Sequence, residues 1–490
     1  MKANKTTERP SVLERPTIPE LRATLKGRVI SPGDPDYDRA RTIFYGGFDR
    51  RPSAIVRVAD EADVSRVISF ARGTGLELAV RSGGHSAAGY SLSHGGIVLD
   101  LSEMKELRID AERRTAWAQT GLTAGEYTTA AAAHGLATGF GDTGSVGIGG
   151  ITLGGGVGFL SRKHGLTIDH LLAAEVVTAD GQVLRVDADT HPNLFWAIRG
   201  GGGNFGVATR FQFRLHPVDT IVGGMLFLPA TPDVIRSFIA EAEAAPDELS
   251  TIVNIMPAPP MPFVPAEALG QLVVMAFMVY AGPVEDGERA IAPFRALATP
   301  IADMVRPMRY PEMFPPDGGG FHPTAIGHTM FLDRIDLDTA ETIVAHLQAS
   351  DAAMRVVQLR VLGGAIARVP ADATAFAHRR SRIMANVGAF YEGPDDRALR
   401  EAWVTELAAA LDQAVAGAYV NFLGDEGVAR VRAAYPGSTW DRLATIKARY
   451  DPTNLFRLNQ NILPTGTPLM EVLSEEMLPE DMPQTKMPQA

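Results

Sequence analysis

Two glycine-rich segments, the first containing a histidine, carry the residues of this 490-residue chain that are best suited to chemistry. The first segment, Arg81-Ser82-Gly83-Gly84-His85-Ser86, follows an apolar run that predicts a buried strand. Glycines at the end of a strand leave backbone N–H groups accessible to an anion, and a histidine among them lies beside any bound ligand. Taken alone, such a loop is most often a surface turn.

The second segment, residues 139–158, strengthens the interpretation because ten of its twenty residues are glycine. A packed helix or strand of that composition is entropically unfavourable, whereas close approach of the backbone to a large ligand explains it. The N–H groups of residues 144–150 can surround a pyrophosphate, and Thr143 and Ser145 add hydroxyls. A third glycine cluster follows at residues 200–206.

Several common cofactor and metal motifs are excluded. Residues 139–144 match G-x-G-x-x-G, but that fingerprint must follow a strand and open a helix. Here we predict a helix end before it and further glycines, not a helix, after it, so we reject a Rossmann site. The sequence contains neither G-x-x-x-x-G-K-[ST] nor H-E-x-x-H, and no histidine spacing is typical of a metal site, so no metal is expected.

Composition limits the class of protein. The length predicts two domains, one of them interrupted by the other. A net charge of -11 without long Lys or Arg runs argues against nucleic-acid and membrane partners. The absence of cysteine excludes disulfides, thiolate metal sites and cysteine nucleophiles. With no signal-like N-terminus and no run of eighteen apolar residues, we expect a cytoplasmic protein.

Hydrophobic periodicity indicates the elements that must position these segments. In the first half we predict strands at 54–58, 76–80, 96–101 and 115–119, helices at 60–74 and 123–134, and a hairpin of 172–179 with 182–187 around Asp180-Gly181. From about residue 218 the glycine clusters stop, and we predict strands such as 272–279 and 354–362 and helices such as 339–349. The helix at 442–450 is predicted to expose Lys447 and Arg449.

With these segments in this order, the chain resembles the covalent flavoprotein oxidases related to berberine bridge enzyme and 6-hydroxynicotine oxidase, in the vanillyl-alcohol-oxidase-like fold. The resemblance extends from about residue 51 to residue 464. Besides the glycine segments it is carried by residues 162–169 and 200–207, by Tyr419-Val420-Asn421, by Tyr450-Asp451-Pro452 and by Asn459-Gln460-Asn461.

The resemblance implies an α+β fold with a two-part FAD-binding domain of the PCMH type. Residues 21–217 form its first part, and residues 417–465, a berberine-bridge-like C-terminal segment, return to it. Residues 218–416 form an inserted α/β substrate-binding domain, an antiparallel sheet covered by helices. Residues 466–490 are expected to be a flexible tail.

The resemblance also implies FAD, joined covalently through a ring nitrogen of His85 to a methyl group of the flavin. In doubly linked family members a cysteine occupies the position of Thr143, so this cysteine-free chain is expected to carry one covalent bond only. The other residues expected to bind the cofactor are Arg81, Ser82, Gly83, Gly84, Ser86, Gly89, Thr143, Gly144, Ser145, Gly147, Gly149, Gly150, Gly154, Gly158, Val207, Asn421 and Asn459.

Tyr419 is the expected catalytic residue, abstracting a substrate proton as hydride leaves; a packing role is the alternative. On a strand, Tyr419 and Asn421 would share one face. A phenol with a reference pKa of about 10 needs a nearby cation or the flavin to lower that pKa. Gln358, Arg360 and Asn386 are predicted on strand faces that either contact substrate or form ordinary core.

The predicted function is oxidation of a hydrophobic amine or alcohol, such as an alkaloid-like secondary metabolite, by hydride transfer to FAD, with O2 reoxidising the flavin to give H2O2. The alternatives are a flavin-dependent oxidative cyclase or monooxygenase, a dehydrogenase with another acceptor, and a non-catalytic flavin-bearing metabolite binder. A small-molecule substrate and O2 are the expected partners of a monomer or homodimer. His94, His134 and His164, in glycine-flanked turns, are interpreted as structural.

Overall fold

A computed structural model describes residues 16–315 and 320–466 of the chain, and its mixed helices and strands confirm the α+β class. The strands are β1 (Arg28–Ile30), β2 (Ala54–Arg57), β3 (Leu78–Arg81), β4 (Ile97–Asp100), β5 (Leu107–Asp110), β6 (Thr115–Gln119), β7 (Leu136–Ala137), β8 (Leu171–Val177), β9 (Val183–Asp187), β10 (Val207–Arg214), β11 (His216–Pro217), β12 (Thr220–Pro229), β13 (Leu249–Pro257), β14 (Leu272–Tyr280), β15 (Ala302–Asp303), β16 (Arg306–Arg309), β17 (Ala325–Leu332), β18 (Arg355–Val361) and β19 (Ile383–Phe390).

The helices are α1 (Ile18–Thr24), α2 (Tyr37–Ala40), α3 (Glu61–Thr74), α4 (Ala124–Ala132), α5 (Ile148–Gly154), α6 (Ser161–His164), α7 (Pro192–Ala197), α8 (Pro232–Ala244), α9 (Val284–Arg295), α10 (Leu337–Ala349), α11 (Gly364–Arg368), α12 (Gly393–Ala410), α13 (Val428–Ala434) and α14 (Ser438–Tyr450). None of the helices in the described ranges is long and apolar enough to cross a membrane.

The first sheet has the order β1-β2-β4-β3, in which β4 is parallel to both β2 and β3. The helix predicted over 60–74 is confirmed as α3, which begins at the N-cap Asp60 and ends at Gly75, whose φ of +73° favours glycine. Its buried residues Val64, Val67 and Ile68 belong to the core beneath this sheet. The sheet therefore holds β3 rigidly at the start of the His85 loop.

The second sheet is antiparallel, with the order β5-β6-β10-β8-β9. Its β8–β9 pair confirms the hairpin predicted around Asp180-Gly181. The expectation that glycines continue without a helix is wrong, because α5 forms within the glycine-rich segment. The exclusion of a Rossmann unit still holds, since β7, the strand before this segment, pairs antiparallel with β11 and forms no parallel β-α-β unit.

The third sheet joins eight strands, all antiparallel, in the order β15-β12-β14-β13-β18-β19-β17, with β16 added beside β12. One face packs on α8, α10 and α12 through a large apolar core that includes Phe238, Ile343 and Leu407. The opposite face carries Arg360, which reaches residues of the first half of the chain. This face therefore forms one wall of the space between the sheets.

The C-terminal helix α14 returns to the second sheet, where Leu443 and Ile446 join its core. The prediction that Lys447 is solvated is wrong: its side chain is fully buried and pairs with Asp451 at 2.6 Å. Its Nζ also donates to the carbonyls of Asn204 and Phe456. Lys447 follows Leu443 by four residues and so shares its buried face. Arg449 is exposed, as predicted.

The domain limits at 217/218 and 416/417 remain predictions. Residues 467–490 of the predicted tail lie outside the described residues.

Candidate active site

A cavity of about 1240 Å³ lies between the first, second and third sheets, and residues of β3, β10 and β18 are among those that line it. Small-molecule sites usually measure roughly 300–1,000 Å³, so this cavity has room for a large cofactor together with a substrate. Its wall includes the loop after β3, part of the glycine-rich segment around α5, and the polar face of the third sheet.

His85 lies in the loop that follows β3, and it lines this cavity. The loop packs tightly against the second glycine segment, because a Cβ on Gly83 would lie 2.2 Å from the backbone nitrogen of Gly147. The ring of Phe44 stacks on the His85 ring, with centroids 4.1 Å apart and planes 18° from parallel. Glycine contacts and ring stacking therefore fix the position of His85 in the wall.

Tyr419 and Asn421 meet as expected, but not on a strand. Residues 420–422 form a 3-10 turn that starts at Tyr419, so the predicted strand is wrong. The turn brings the Asn421 amide back onto Tyr419, with Nδ2 donating to the phenol oxygen at 3.0 Å. The backbone N–H groups of Gly156 and Val157 also donate to this oxygen, at 2.9 and 3.3 Å.

The surroundings of Tyr419 act on its pKa in opposite directions. Burial raises the pKa of the phenol, whereas the hydrogen bonds from Asn421, Gly156 and Val157 and the charge of Arg360 lower it. Donors aimed at the oxygen favour the ionised form. Burial is the largest of these effects, so on balance the pKa of Tyr419 is raised above its ordinary value. The three donors would stabilise a negative charge on the Tyr419 oxygen once its proton is lost.

Gln358, Arg360 and Asn386 all line the cavity from the third sheet. Arg360 donates to the Val157 carbonyl at 3.1 Å, to Asp142 at 2.6 Å and to Gln358 Oε1 through two nitrogens. Gln358 in turn donates to Asn254 Oδ1 at 2.9 Å. Arg360 and Gln358 are thus bound to other protein groups.

The structure brings most of the residues expected at the site to the cavity wall. Those that line the cavity are Ser82, Gly83, Gly84, His85, Ser86, Thr143, Gly147, Gly149, Gly150, Val207, Gln358, Arg360, Asn386, Tyr419, Asn421 and Asn459.

Six expected cofactor residues are not in the cavity lining, namely Arg81, Gly89, Gly144, Ser145, Gly154 and Gly158. Arg81 is buried and pairs with Asp100 at 2.7 Å. A Cβ on Gly154 would lie 2.0 Å from Asn421 Oδ1, and one on Gly158 would lie 1.8 Å from the Phe140 carbonyl oxygen. Gly154 and Gly158 therefore support the wall by close packing.

Sequence reasoning missed three residues of the wall: Phe44, which stacks on His85, Asp142, which pairs with Arg360, and Glu426, which pairs with His328 at 3.3 Å. Phe44 and Glu426 belong to loops without a recognisable motif. Asp142 directly precedes Thr143 in the glycine-rich segment, and that position was the only available signal.

The wall fits an FAD molecule. Cβ atoms on Gly150 or Gly203, which line the cavity, would come no closer than 4.0 Å to other residues, so the backbone there is open to a ligand. Asn459 Oδ1 lies in the same wall and is buried without a hydrogen-bond partner among the described residues. Such buried polar atoms are usually paired, and a bound cofactor supplies a partner.

Family comparisons agree with this geometry. The model of the FAD binding domain family matches residues 52–187, and that of the berberine and berberine-like family matches residues 418–463.

Relatives cover nearly the whole chain. An FAD-linked oxidoreductase of Bacillus subtilis is 30% identical over 451 residues, covering 90% of this chain and 97% of the relative. (R)-6-hydroxynicotine oxidase of Paenarthrobacter nicotinovorans is 32% identical over 466 residues, covering 91% and 98%. The crystal structure of 6-hydroxy-D-nicotine oxidase from Arthrobacter nicotinovorans superposes with a TM-score of 0.80 at 30% identity, covering 90% of this chain and 98% of that one.

Proposed function

Because this chain belongs to the family of FAD-linked oxidoreductases related to berberine bridge enzyme and 6-hydroxynicotine oxidase, we propose that it is an oxidase with one covalent bond to FAD, at His85. His85 lies in the cavity wall with its ring stacked on Phe44. Thr143 occupies the position of a second attachment, and the chain has no cysteine that could form one.

The glycine segments, Val207 and Asn459 would hold the cofactor by backbone contacts and by the unpaired Asn459 amide oxygen. When bound, FAD supplies the acceptor for a hydride and passes two electrons to O2, which gives H2O2. The protein orients both reactants in the cavity between the sheets.

The single observation that carries the proposal is the Tyr419 oxygen, which lies in the cavity wall with three N–H donors around it. We propose that this oxygen accepts the amine or hydroxyl proton of the substrate as the adjacent carbon loses hydride. Asn421 orients the phenol and, with the two backbone N–H groups, stabilises its charge.

The substrate is proposed to be a hydrophobic amine or alcohol. Met354, Val356, Phe390 and Phe422 supply apolar and aromatic surface to the cavity near the polar face of the third sheet. The relative named (R)-6-hydroxynicotine oxidase agrees with an amine of this character.

The covalent bond is tested by acid precipitation of the holoprotein followed by peptide mapping. Wild-type protein should retain its yellow colour in the pellet, with the flavin on the peptide containing His85. His85→Ala should release the colour into the supernatant, whereas His134→Ala, an exposed histidine away from the cavity, should not. Flavin on another peptide contradicts the proposal.

The role of Tyr419 is tested by measuring H2O2 released from a panel of aromatic amines and alcohols. Tyr419→Phe should lower turnover by about 10²-fold or more at unchanged flavin content. Tyr127→Phe, a change to a buried tyrosine outside the cavity lining, should leave turnover within about twofold. Flavin reduction without peroxide would identify a dehydrogenase instead.

A further inference from the structure

Four polar side chains form one row across the third sheet. In the strand register Asn254 is opposite Gln358, Gln358 is opposite Asn386, and Asn386 is opposite Thr329. Directly opposite residues of antiparallel strands point to the same face. That face is the one toward the cavity, because Gln358 and Asn386 line it while the neighbours Leu359 and Ala385 belong to the helix-covered core.

One half of this row is fully engaged by protein groups. Gln358 donates to Asn254 and accepts from Arg360, and Arg360 is neutralised by Asp142 at 2.6 Å. A substrate carboxylate would have to displace Asp142 to pair with Arg360. This half of the row, including the neighbouring Arg360, therefore has no unpaired cation that could bind a negatively charged ligand.

The other half is not engaged. Among the described residues, Asn386 Oδ1 and Thr329 Oγ1 are both buried without a hydrogen-bond partner. Glycines flank this amide: Gly327 lies close enough that a Cβ there would be 3.5 Å from Asn386 Oδ1, and Gly388 follows on the same strand face. Asn386 itself is half-buried and lines the cavity beside Gly327 and Gly388, which have no side chains that could separate its amide from a bound molecule.

We propose that Asn386 determines substrate specificity, and that the substrate is an uncharged molecule with an amide, lactam or phenol group. Such a group donates a hydrogen bond to Oδ1 of Asn386 and accepts one from Nδ2. A native protein seldom leaves a buried amide unpaired, and a site built to hydrogen-bond its ligand discriminates strongly against analogues that lack the donor. This inference rests on the proposed function, whose substrate class it narrows.

The test uses the flavin-loaded holoprotein and three probes of similar size: benzamide, N,N-dimethylbenzamide and benzoate. Binding is followed by calorimetry and by the change in flavin absorbance. Wild-type protein should bind benzamide about tenfold more tightly than either of the other probes. Asn386→Leu, which removes the amide at nearly constant volume, should bind benzamide and N,N-dimethylbenzamide within about twofold of each other.

Asn193→Leu, the same substitution at an exposed position outside the cavity lining, is the matched control and should keep the preference for benzamide. If Asn386→Leu does not fold, Asn386→Ser serves in the same comparison. Equal affinities in the wild type, or a preference that survives both Asn386 substitutions, overturn the inference.

The outcome is separable from that of the proposed function. If the protein releases peroxide but binds all three probes equally, only the proposed role of Asn386 is contradicted. If the protein prefers benzamide through Asn386 but releases no peroxide with any substrate, only the proposed oxidase activity is contradicted.

Discussion

At the scale of single residues, Tyr419 illustrates how burial and hydrogen bonding act on one titratable group. Its side chain is almost completely buried, which raises the pKa of the phenol. Asn421 and two backbone N–H groups act in the opposite direction. Arg360 supplies the cation that was expected to lower the pKa of Tyr419. Its contribution is the smallest of those that act on this pKa, and its side chain is already paired with Asp142.

Removing one of the three donors should therefore change the pH dependence of oxidation. In Asn421→Leu the phenolate loses a hydrogen bond, so the pKa of Tyr419 should rise by about one unit. In the proposed mechanism only deprotonated Tyr419 accepts the substrate proton, so we expect the rate of anaerobic flavin bleaching to increase with pH. In Asn421→Leu this increase should occur at correspondingly higher pH than in the wild type. Asn193→Leu, at an exposed position bonded to Arg442, is the control. An unchanged profile in Asn421→Leu would mean that Tyr419 is not the base.

At the scale of elements, the glycine-rich segment shows why a helix unfavourable in composition still forms. Helix α5 contains several glycines, which lowers its intrinsic propensity. A Cβ on Gly154 would lie 2.0 Å from the amide oxygen of Asn421, and one on Gly155 would lie 3.2 Å from the Tyr419 ring. The glycines thus let the 3-10 turn that carries Tyr419 pack directly on the end of the helix.

Helix α14 provides a test of buried charge. Lys447 is fully buried with Asp451, and burial lowers the pKa of its ammonium while Asp451 opposes that change. Lys447→Met would leave the Asp451 carboxylate and two carbonyls without this donor, so we expect a loss of about 3–5 kcal/mol in the free energy of unfolding. Arg449→Met, on the exposed face of the same helix, should change it by less than about 0.5 kcal/mol.

Urea denaturation of the two variants, followed by fluorescence, gives the comparison directly. Similar midpoints for Lys447→Met and Arg449→Met would show that the buried pair contributes little to stability. A large loss for Lys447→Met alone would show that the pair fixes the C-terminal segment on the second sheet.

At the scale of the whole molecule, the buried His170 and the half-buried His164 and His216 form a cluster beside the contact between the second and third sheets. The rings of His164 and His216 stack at 4.0 Å, and His170 Nδ1 lies 3.0 Å from His216 Nε2. The neighbouring Arg162 and Lys163 donate to carbonyls of the third-sheet region, including Leu362 and Ala281.

Burial lowers the pKa of His164 and of His170 to about 3, and that of His216 to about 4. The other charged groups that act on the cluster, Lys163, Arg114 and Arg214, are all cations and lower these pKa values further. Among the described residues no carboxylate contributes to these shifts.

The cluster should make the fold sensitive to acid. In the unfolded chain the histidines titrate near pH 6.5, so the unfolded state binds more protons and stability falls as pH decreases from 6.5 toward 4 and 3. For the deeply buried His170 this amounts to about 2 kcal/mol at pH 5. The drop in melting temperature between pH 7 and pH 5 should shrink in His170→Gln and persist in the control His134→Gln, at an exposed position. Equal drops would contradict this account.

Local properties of the chain determined the cofactor class and most of the elements. Hydrophobic periodicity predicted α3, the Asp180-Gly181 turn predicted the β8–β9 hairpin, and the order of the glycine segments predicted the FAD-binding fold. Each of these signals depends on residues that are near one another in sequence, where backbone preference and spacing are directly readable.

Only the tertiary structure decided which polar groups are paired, because hydrogen bonds and burial depend on segments that are distant in sequence. Tyr419 accepts from Gly156 across 263 positions, and Arg360 pairs with Asp142 across 218. The same contacts occupy Gln358 and Arg360 and leave the Asn386 amide unpaired in the cavity wall. Neither periodicity nor motif order specifies which of three polar residues on neighbouring strands keeps a free hydrogen-bonding group.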